Sequence, residues 1–270
     1  MASEIDEGKL SGMIREWDEL AQSVGGHSDA ALRGSGATTF LKGGQVELYE
    51  RALESEVEFV TSTLAVKSSQ RVLEIGCGNC VFLSRLAASA GLAVGIDLSH
   101  SMLRHGRRRL EREGRETSAH LVQVAMQSLP FKPHTFDKIL LYACLQYVPS
   151  AELDRVLGSL AEVKTPDGLV LFGSLPTRTC LAHRRDAFIQ LLRNAKRSLL
   201  GRPLVAYWRF PVDRLRRQLE QAGLVVVAEG TTAYNFYPLP TTVATRLRRH
   251  YERRRRFSRP FSSRYYFLCR

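Results

Sequence analysis

The chain has 270 residues, of which 44% are hydrophobic, and a formal net charge of +12. This length suffices for one large core, and no apolar run reaches the ~20 residues that span a bilayer. The N-terminal residues are polar and acidic, unlike a secretory signal, and the five irregularly spaced cysteines do not suit a disulfide framework. We therefore expect a cytoplasmic protein.

The positive charge is concentrated near the C-terminal end. Residues 241–270 contain ten arginines and one acidic residue. Aromatic side chains lie among the arginines of segment 246–259, a composition typical of surfaces that bind RNA or anionic membranes. We expect one of these two partners for the segment, with peripheral membrane association in the second case. A plain solvated face is the alternative.

The first 66 residues are predicted to form two helices and a lid. Apolar residues recur at helical spacing over 9–22 and again over 45–65. A glycine-rich segment, 23–44, separates them, and we expect it to cover a site on the following domain. We expect Trp17 to pack the first helix against that domain.

From residue 67 onward, short apolar runs alternate with helical patterns. Near-continuous apolar strands separated by helices are typical of a parallel sheet covered on both faces. Longer insertions occur at 174–210, which includes an amphipathic helix, and at 229–263, which holds most of the arginines. A final run, Tyr265–Leu268, is predicted to add an edge strand. The other predicted strands are 71–75, 92–96, 119–125, 136–142, 168–173 and 223–228, and the predicted helices are 80–90, 99–113, 150–163 and 211–221.

Cys77 and Cys80 form a C-x-x-C pair directly after the first predicted strand. A pair at this spacing is a redox couple in thiol oxidoreductases, where a helix N-terminus lowers a thiol pKa. A metal site would need two more ligands, and the sequence has no second C-x-x-C and no H-x-x-H, so we expect no metal. A redox function leaves the neighbouring Glu74, Gly76 and Gly78 unexplained.

Glu74 to Asn79 form a glycine turn between a strand and a helix. In an open α/β sheet such a turn forms the floor of a ligand site at the carboxyl ends of the strands. Asp97 ends the second strand, nineteen residues after Gly78, which suits a carboxylate that accepts ribose hydroxyls. The dinucleotide fingerprint requires a third glycine where this chain has Val81, and the Gly-Lys-Ser/Thr of a Walker loop is absent. A pyrophosphate ligand is therefore disfavoured.

These motifs resemble those of the class I S-adenosylmethionine-dependent methyltransferases. VLEIGCGN is similar to the family's first motif and VGIDLSHSML to its second-strand motif with the ribose-binding acid. SLPFKPHTFDKILLYACLQYV and LAEVKTPDGLVLFGSLP are similar to the regions of its third to fifth strands. The resemblance implies a doubly wound, Rossmann-like α/β fold with a mostly parallel seven-stranded sheet, helices on both faces and an antiparallel last strand. It divides the chain into N-terminal helices and lid, 1–66, and a methyltransferase domain, 67–270, within one structural unit.

The resemblance also implies a cofactor, S-adenosyl-L-methionine, and the residues that bind it. Two positions depart from the family pattern, because Ala125 stands where an aspartate often contacts the adenine and Cys80 stands in place of a third glycine. The implied cofactor-binding residues are Glu74, Gly76, Cys77 and Gly78 at the methionine end, Asp97 and Leu98 at the ribose, Met126 and Gln127 at the adenine, Tyr142 beside the sulfonium, and Met102 as a further contact.

Methyl transfer from a sulfonium is an in-line displacement that requires alignment and, for a protonated acceptor, a base. Tyr142 and Tyr147, near the fourth strand, and His183, in the insertion, are the candidate catalytic residues, although aromatic packing explains the tyrosines equally well. We expect a small or lipid-linked acceptor, including phosphorylated ones. The alternatives are an RNA methyltransferase, a degenerate methyltransferase fold that only binds, and a C-x-x-C thiol oxidoreductase.

Overall fold

The computed structural model describes residues 44–176, 210–231 and 264–270, with single helical residues from two further segments. These single residues are 11, 12, 14, 15, 17, 18 and 19 near the N-terminus, and 191, 195 and 199 in the predicted insertion helix. The glycine-rich segment up to residue 43, His183 and the arginine-rich segment 246–259 lie outside the described residues.

Strands and helices alternate along the described chain. The strands are β1 (Arg71–Ile75), β2 (Leu92–Asp97), β3 (Ala119–Gln123), β4 (Phe136–Tyr142), β5 (Lys164–Pro176), β6 (Val226–Thr231) and β7 (Arg264–Cys269). The α-helices are α1 (Gly44–Leu64), α2 (Val81–Ala87), α3 (His100–Arg112), α4 (Leu153–Val163) and α5 (Val212–Gln221), and a 3₁₀ turn covers Leu145–Tyr147.

The strands form one seven-stranded sheet in the order β3-β2-β1-β4-β5-β7-β6. Strands β1 to β5 are parallel, whereas β7 is antiparallel to both of its neighbours, β5 and β6. The predicted doubly wound sheet with an antiparallel last strand is therefore confirmed. Chain order reverses between β1 and β4, so the carboxyl ends of these two strands border the crevice where ligands bind in such sheets.

Successive residues of β1 pack into two hydrophobic clusters on opposite faces of the sheet. Leu73 and Ile75 of β1 pack in one cluster with the apolar side of α4, while Val72 packs in the other with Val60 and Leu64 of α1. All five side chains are fully buried. Both faces of each central strand are covered, which explains the near-continuous apolar sequence that predicted a parallel sheet.

β5 and β6 begin four and three residues away from their predicted starts. β5 begins at Lys164 because a register irregularity opposite Phe136 lets the chain pair with β4 before the Pro-Asp-Gly sequence. β6 begins at Val226 because Gly223, with φ +82°, first ends α5. The prediction that Tyr265–Leu268 adds an edge strand is wrong, because β7 lies between β5 and β6 and pairs with both. β6 forms the edge of the sheet instead, with Val227 49% exposed. Its apolar run alone resembled that of a central strand.

Within the described residues, no helix has both the length and the apolar composition needed to cross a membrane. Leu191 and Leu199, eight residues apart in the insertion helix, are large exposed apolar side chains.

Candidate functional site

The turn between β1 and α2 has the left-handed backbone that its glycines predict. Gly76 and Gly78 have φ of +68° and +51°, values that residues with a Cβ rarely adopt. A Cβ on Gly76 would lie 2.7 Å from the Cβ of Cys144, whereas one on Gly78 would meet only the Met102 methyl, at 3.5 Å. Gly76 therefore permits close packing, and Gly78 keeps space open beside the crevice.

Asp97, at the carboxyl end of β2, is hydrogen-bonded to this turn. Its Oδ2 accepts the backbone N–H of Gly78 and its Oδ1 accepts that of Ser99, each at 2.9 Å. Burial raises the pKa of Asp97, and these backbone hydrogen bonds offset part of the rise. A carboxylate has about four acceptor positions, so lone pairs remain on both oxygens for a diol.

Three cysteines pack where glycines of neighbouring segments lack a Cβ. A Cβ built on Gly95 would lie 2.8 Å from the sulfur of Cys77, and one on Gly106 would lie 2.4 Å from the sulfur of Cys80. Cys144 packs in the same way on Gly76 and donates its thiol to the carbonyl of Ile75 at 3.2 Å. The cysteine side chains thus lock the glycine turn onto β2, α3 and the end of β4.

Cys80 occupies the position of the family's third glycine and has a left-handed conformation that favours glycine, with φ +60°. It lies immediately before the first residue of α2, and its side chain is fully buried. A left-handed backbone costs a residue with a Cβ about 1–2 kcal/mol. The structure therefore accommodates the departure at Cys80 through backbone strain and the matching gap at Gly106, without a change of turn.

The same geometry argues against the thiol oxidoreductase alternative. Burial raises the pKa of the Cys77 thiol well above its usual value, and the hydrogen bond to Cys80 and the nearby Asp97 and Glu74 raise it further. A thiol held neutral is a poor nucleophile. The four described cysteines are free and buried, and no metal-binding group of His, Cys, Asp and Glu occurs among the described residues.

The opposite wall of the crevice begins at the carboxyl end of β4. The ring of Tyr142 fits against Gly173 of β5, where a Cβ would lie 2.4 Å from it, and packs on Phe82 at 4.5 Å between ring centroids. Tyr142 is 6% exposed. Ala143 follows with φ +55°, and this sharp change of direction leads the chain into the 3₁₀ turn that ends at Tyr147.

Trp17, from the N-terminal helix, lies in this crevice. Its ring meets that of Tyr147 edge-on, with centroids 5.6 Å apart and planes at 90°. Trp17 was expected to pack its helix against the domain, and it does so through Tyr147 while also lining the crevice. The sequence did not predict that Trp17 lines the crevice, because a single tryptophan on a helix does not reveal which distant residue it contacts.

The crevice has a volume of about 900 Å³ when its open mouth is included. Nine of the ten residues expected at the cofactor, and the catalytic candidates Tyr142 and Tyr147, lie along it. The described lining residues are Trp17, Glu74, Ile75, Gly76, Cys77, Gly78, Asn79, Val81, Phe82, Ile96, Asp97, Leu98, Met102, Val124, Met126, Tyr142, Ala143, Cys144 and Tyr147. None of these carries a positive charge.

Gln127 is the expected cofactor residue that the structure does not place on the lining. Gln127 is 7% exposed, and its backbone carbonyl oxygen accepts the Nε–H of Arg155 at 3.3 Å, beside α4. β3 ends at Gln123, two residues earlier than predicted, and the following turn directs Val124 and Met126 toward the crevice instead. Of Met126 and Gln127, the two residues expected at the adenine, only Met126 lies on the described lining, so the geometry favours Met126 for that contact.

Comparison with known proteins agrees with this architecture. Residues 72–168 match a family described as a methyltransferase domain. The ubiquinone/menaquinone biosynthesis C-methyltransferase UbiE of Vibrio campbellii is 30% identical over 68% of this chain and 69% of its own length. The chain belongs to the class I S-adenosylmethionine-dependent methyltransferases. It is an enzyme of that class, and its cofactor is S-adenosyl-L-methionine.

Other UbiE relatives match over shorter stretches. Those of Vibrio parahaemolyticus and Pseudomonas entomophila are 30% and 32% identical, over 65% and 56% of their own lengths. The chain thus spans between about half and somewhat over two thirds of the curated relatives it matches. The family assignment covers the fold and the cofactor.

Solved structures share the fold at low identity. The complex of DhpI with SAH has a TM-score of 0.61 at 14% identity, covering 98% of both chains. The [4+2]-cyclase SpnF has a TM-score of 0.64, also at 14% identity, over 97% of this chain and 95% of its own. Since one neighbour is named a cyclase, the fold alone does not specify the reaction.

The crevice fits the cofactor. Glu74, 2% exposed, lines the crevice with a carboxylate that would face the methionine end of the cofactor, and Asp97 retains acceptor positions that would suit the ribose diol. The positive-φ glycines bring the backbone close to the ligand without side chains in between. On this fit we assign Glu74, Asp97 and the glycine turn as the residues that would hold the cofactor.

Proposed function

We propose that the protein methylates a ring carbon of a small, apolar acceptor of the quinol type, with S-adenosylmethionine as methyl donor. The observation that carries this proposal is the aromatic wall of Trp17, Tyr142 and Tyr147 on the β4 side of the crevice. Flat aromatic walls suit planar ring compounds, which gain from stacking and from edge-on contact. The UbiE relatives, named as C-methyltransferases of ubiquinone and menaquinone biosynthesis, support the same class of acceptor.

The charge of the crevice favours a neutral acceptor over a phosphorylated one. The described lining residues include two carboxylates, Glu74 and Asp97, and no lysine, arginine or histidine. Phosphate groups are bound in proteins by cationic side chains or by helix N-termini. We therefore drop phosphorylated acceptors from the proposal and retain small or lipid-tailed ring compounds.

Carbon methylation requires an electron-rich ring in line with the methyl group. The ring carbon bonds the methyl group as the methyl–sulfur bond breaks and then loses its hydrogen as a proton to solvent, and S-adenosylhomocysteine is released. The cofactor supplies a methyl group activated by its positive sulfur. Tyr142 and Tyr147 are the lining residues with hydroxyls beside the end of β4, and we assign them the task of holding the phenolic oxygen of the acceptor by hydrogen bonds. Trp17 and Tyr147 would exclude water from the face of the ring.

The test uses isotope-labelled S-adenosylmethionine and three acceptors. The first is a reduced quinol that lacks its ring methyl group and carries a short or a long apolar tail. The second is a phosphorylated amine, and the third is RNA. We expect label on a ring carbon of the quinol, established by mass spectrometry and NMR of the product. Asp97→Ala is the control, because loss of the ribose contact should abolish labelling at low cofactor concentration. Label on the amine or the RNA would replace the proposed acceptor.

A further inference from the structure

Asp18, next to Trp17 in the N-terminal helix, makes two hydrogen bonds to the first turn of α3. Its Oδ1 accepts the hydroxyl of Ser99 at 2.5 Å and the backbone N–H of Ser101 at 3.0 Å. Ser99 and Ser101 are buried, with exposures of 0% and 5%. The contact therefore joins two distant parts of the chain in a partly desolvated setting, where a charge-assisted hydrogen bond is stronger than at an open surface.

Ser99 connects this contact to the cofactor side of the crevice. Its hydroxyl accepts the backbone N–H of Met102 as the N-cap of α3, and its own backbone N–H donates to Asp97 Oδ1. Asp97 in turn accepts the N–H of Gly78. A continuous series of hydrogen bonds thus runs from the N-terminal helix to the glycine turn.

Trp17 carries the adjacent contact on the other wall. While Asp18 holds the helix at the start of α3, near the end of β2, the ring of Trp17 meets Tyr147 beyond the end of β4. The helix therefore bridges the two sides of the crevice with consecutive residues. A shift of Asp18 from Ser99 would move Trp17 relative to Tyr147, because the two side chains share one short length of backbone.

Asp18 is ionised under ordinary conditions. Partial desolvation raises its pKa, but hydrogen bonds from Ser99 and Ser101 and the nearby His100 lower it more, so the pKa lies below its usual value. Among the described residues, Asp97 is a second carboxylate near this group. The two acids bind different groups of Ser99: Asp18 accepts its side-chain hydroxyl, and Asp97 accepts its backbone N–H.

We infer that Asp18 is a positioning residue for methyl transfer: by fixing the N-terminal helix to Ser99 and Ser101, it sets Trp17 against Tyr147 and completes the wall that receives the acceptor. This inference rests on the proposed function in that Trp17 and Tyr147 are taken as the acceptor wall. It goes beyond that proposal by assigning acceptor placement to a residue that does not line the crevice.

The first test follows Trp17 without any acceptor. In a Trp208→Phe background Trp17 is the single tryptophan, so its emission and its quenching by acrylamide report on its contact with Tyr147. We expect Asp18→Ala to shift the emission to the red and to increase quenching to the level of Tyr147→Ala. Asp18→Asn, which keeps an acceptor oxygen, should give an intermediate result. Glu19→Ala, an exposed residue of the same helix, should change neither. Unchanged emission in Asp18→Ala would overturn the inference whatever the acceptor is.

The second test is kinetic and uses the quinol acceptor. Asp18→Ala removes a charge-assisted hydrogen bond, and such a loss changes an equilibrium by about tenfold or more. We expect this change as a higher KM for the acceptor, with the affinity for S-adenosylhomocysteine unchanged. The double variant Trp17→Ala/Asp18→Ala should be no worse than Trp17→Ala alone, because Asp18 acts through Trp17. Additive effects of the two substitutions would contradict that route. If the quinol is not methylated at all, the proposed function fails while the fluorescence result still decides the role of Asp18.

Discussion

The glycine turn consists of residues close together in the chain, whereas the aromatic wall joins Trp17, before α1, to Tyr147, after β4. The turn is held by the backbone hydrogen bond from Gly78 to Asp97 and by cysteines packed against glycines. The wall is held by ring contacts and by Asp18, which are side-chain contacts between separate segments. This difference suggests that the turn sets whether the cofactor binds and that the wall sets which acceptor is used.

The largest expected effect tests the rigidity of the turn. Gly76→Ala places a Cβ 2.7 Å from Cys144 in a left-handed backbone, and backbone strain with overpacking should lower the free energy of unfolding by about 3 kcal/mol. Gly114→Ala is the matched control, because Gly114 has a similar φ of +63° with no atom within 4 Å of a built Cβ. It should cost about 1 kcal/mol. Urea unfolding measures both, and equal losses would show that close packing on Cys144 does not matter.

The next effect tests the polar side of the turn. Asp97→Ala should weaken binding of S-adenosylmethionine by about 100-fold, as expected for the loss of charge-assisted hydrogen bonds. Calorimetry measures this. The affinity of Asp97→Asn, which keeps the shape and one oxygen of the side chain, should lie between those of the wild type and Asp97→Ala. Tight binding by Asp97→Ala would remove the ribose role from Asp97.

The pH dependence of cofactor binding provides an independent check on Asp97. Its pKa is raised in the folded protein, chiefly by burial, so the carboxylate that accepts hydroxyls is lost as the pH falls through a value above the usual 3.8. Affinity should therefore decline at mildly acidic pH in the wild type and stay level in Asp97→Asn. Folding stability has the opposite sign: the contribution of a group with a raised pKa is fully present below its unfolded pKa and lost as the pH rises through the folded value.

A smaller effect tests the aromatic wall. Tyr142→Phe and Tyr147→Phe keep the ring contacts with Phe82 and Trp17 but remove the hydroxyls. We expect each to lower kcat by about tenfold while leaving cofactor affinity within about twofold. Rates equal to wild type in both variants would mean that the tyrosines only pack.

The smallest effect concerns Cys80 and Gly106. Cys80→Gly removes left-handed strain but leaves a gap, so we expect unfolding free energy within about 1 kcal/mol of wild type. Gly106→Ala alone should destabilise the protein, since its Cβ would lie 2.4 Å from the Cys80 sulfur. Together the two changes should compensate, because alanine fills the gap and favours the helix by about 1 kcal/mol. Additive losses in thermal unfolding would show that the two sites do not share this space.

The sequence predicted the glycine turn and the position of Asp97 beside it because their determinants are local. Positive φ favours glycine at Gly76 and Gly78, and the end of β2 places Asp97 beside them by sheet geometry alone. The same reasoning did not anticipate that Gln127 lies off the crevice lining, since the direction of a side chain after β3 depends on where strand pairing ends. It could not identify Asp18 as a partner of Ser99, because no short-range pattern records that contact.

The sequence by itself thus determined the strand–turn–helix order, the glycine turn and the acid that faces it, since backbone conformation and strand periodicity are local properties. The tertiary structure decided what surrounds them. It seated Cys77, Cys80 and Cys144 on glycines of other segments and brought Trp17 to Tyr147. These contacts depend on how helices pack across the sheet, a property of the whole fold that no single stretch of sequence contains.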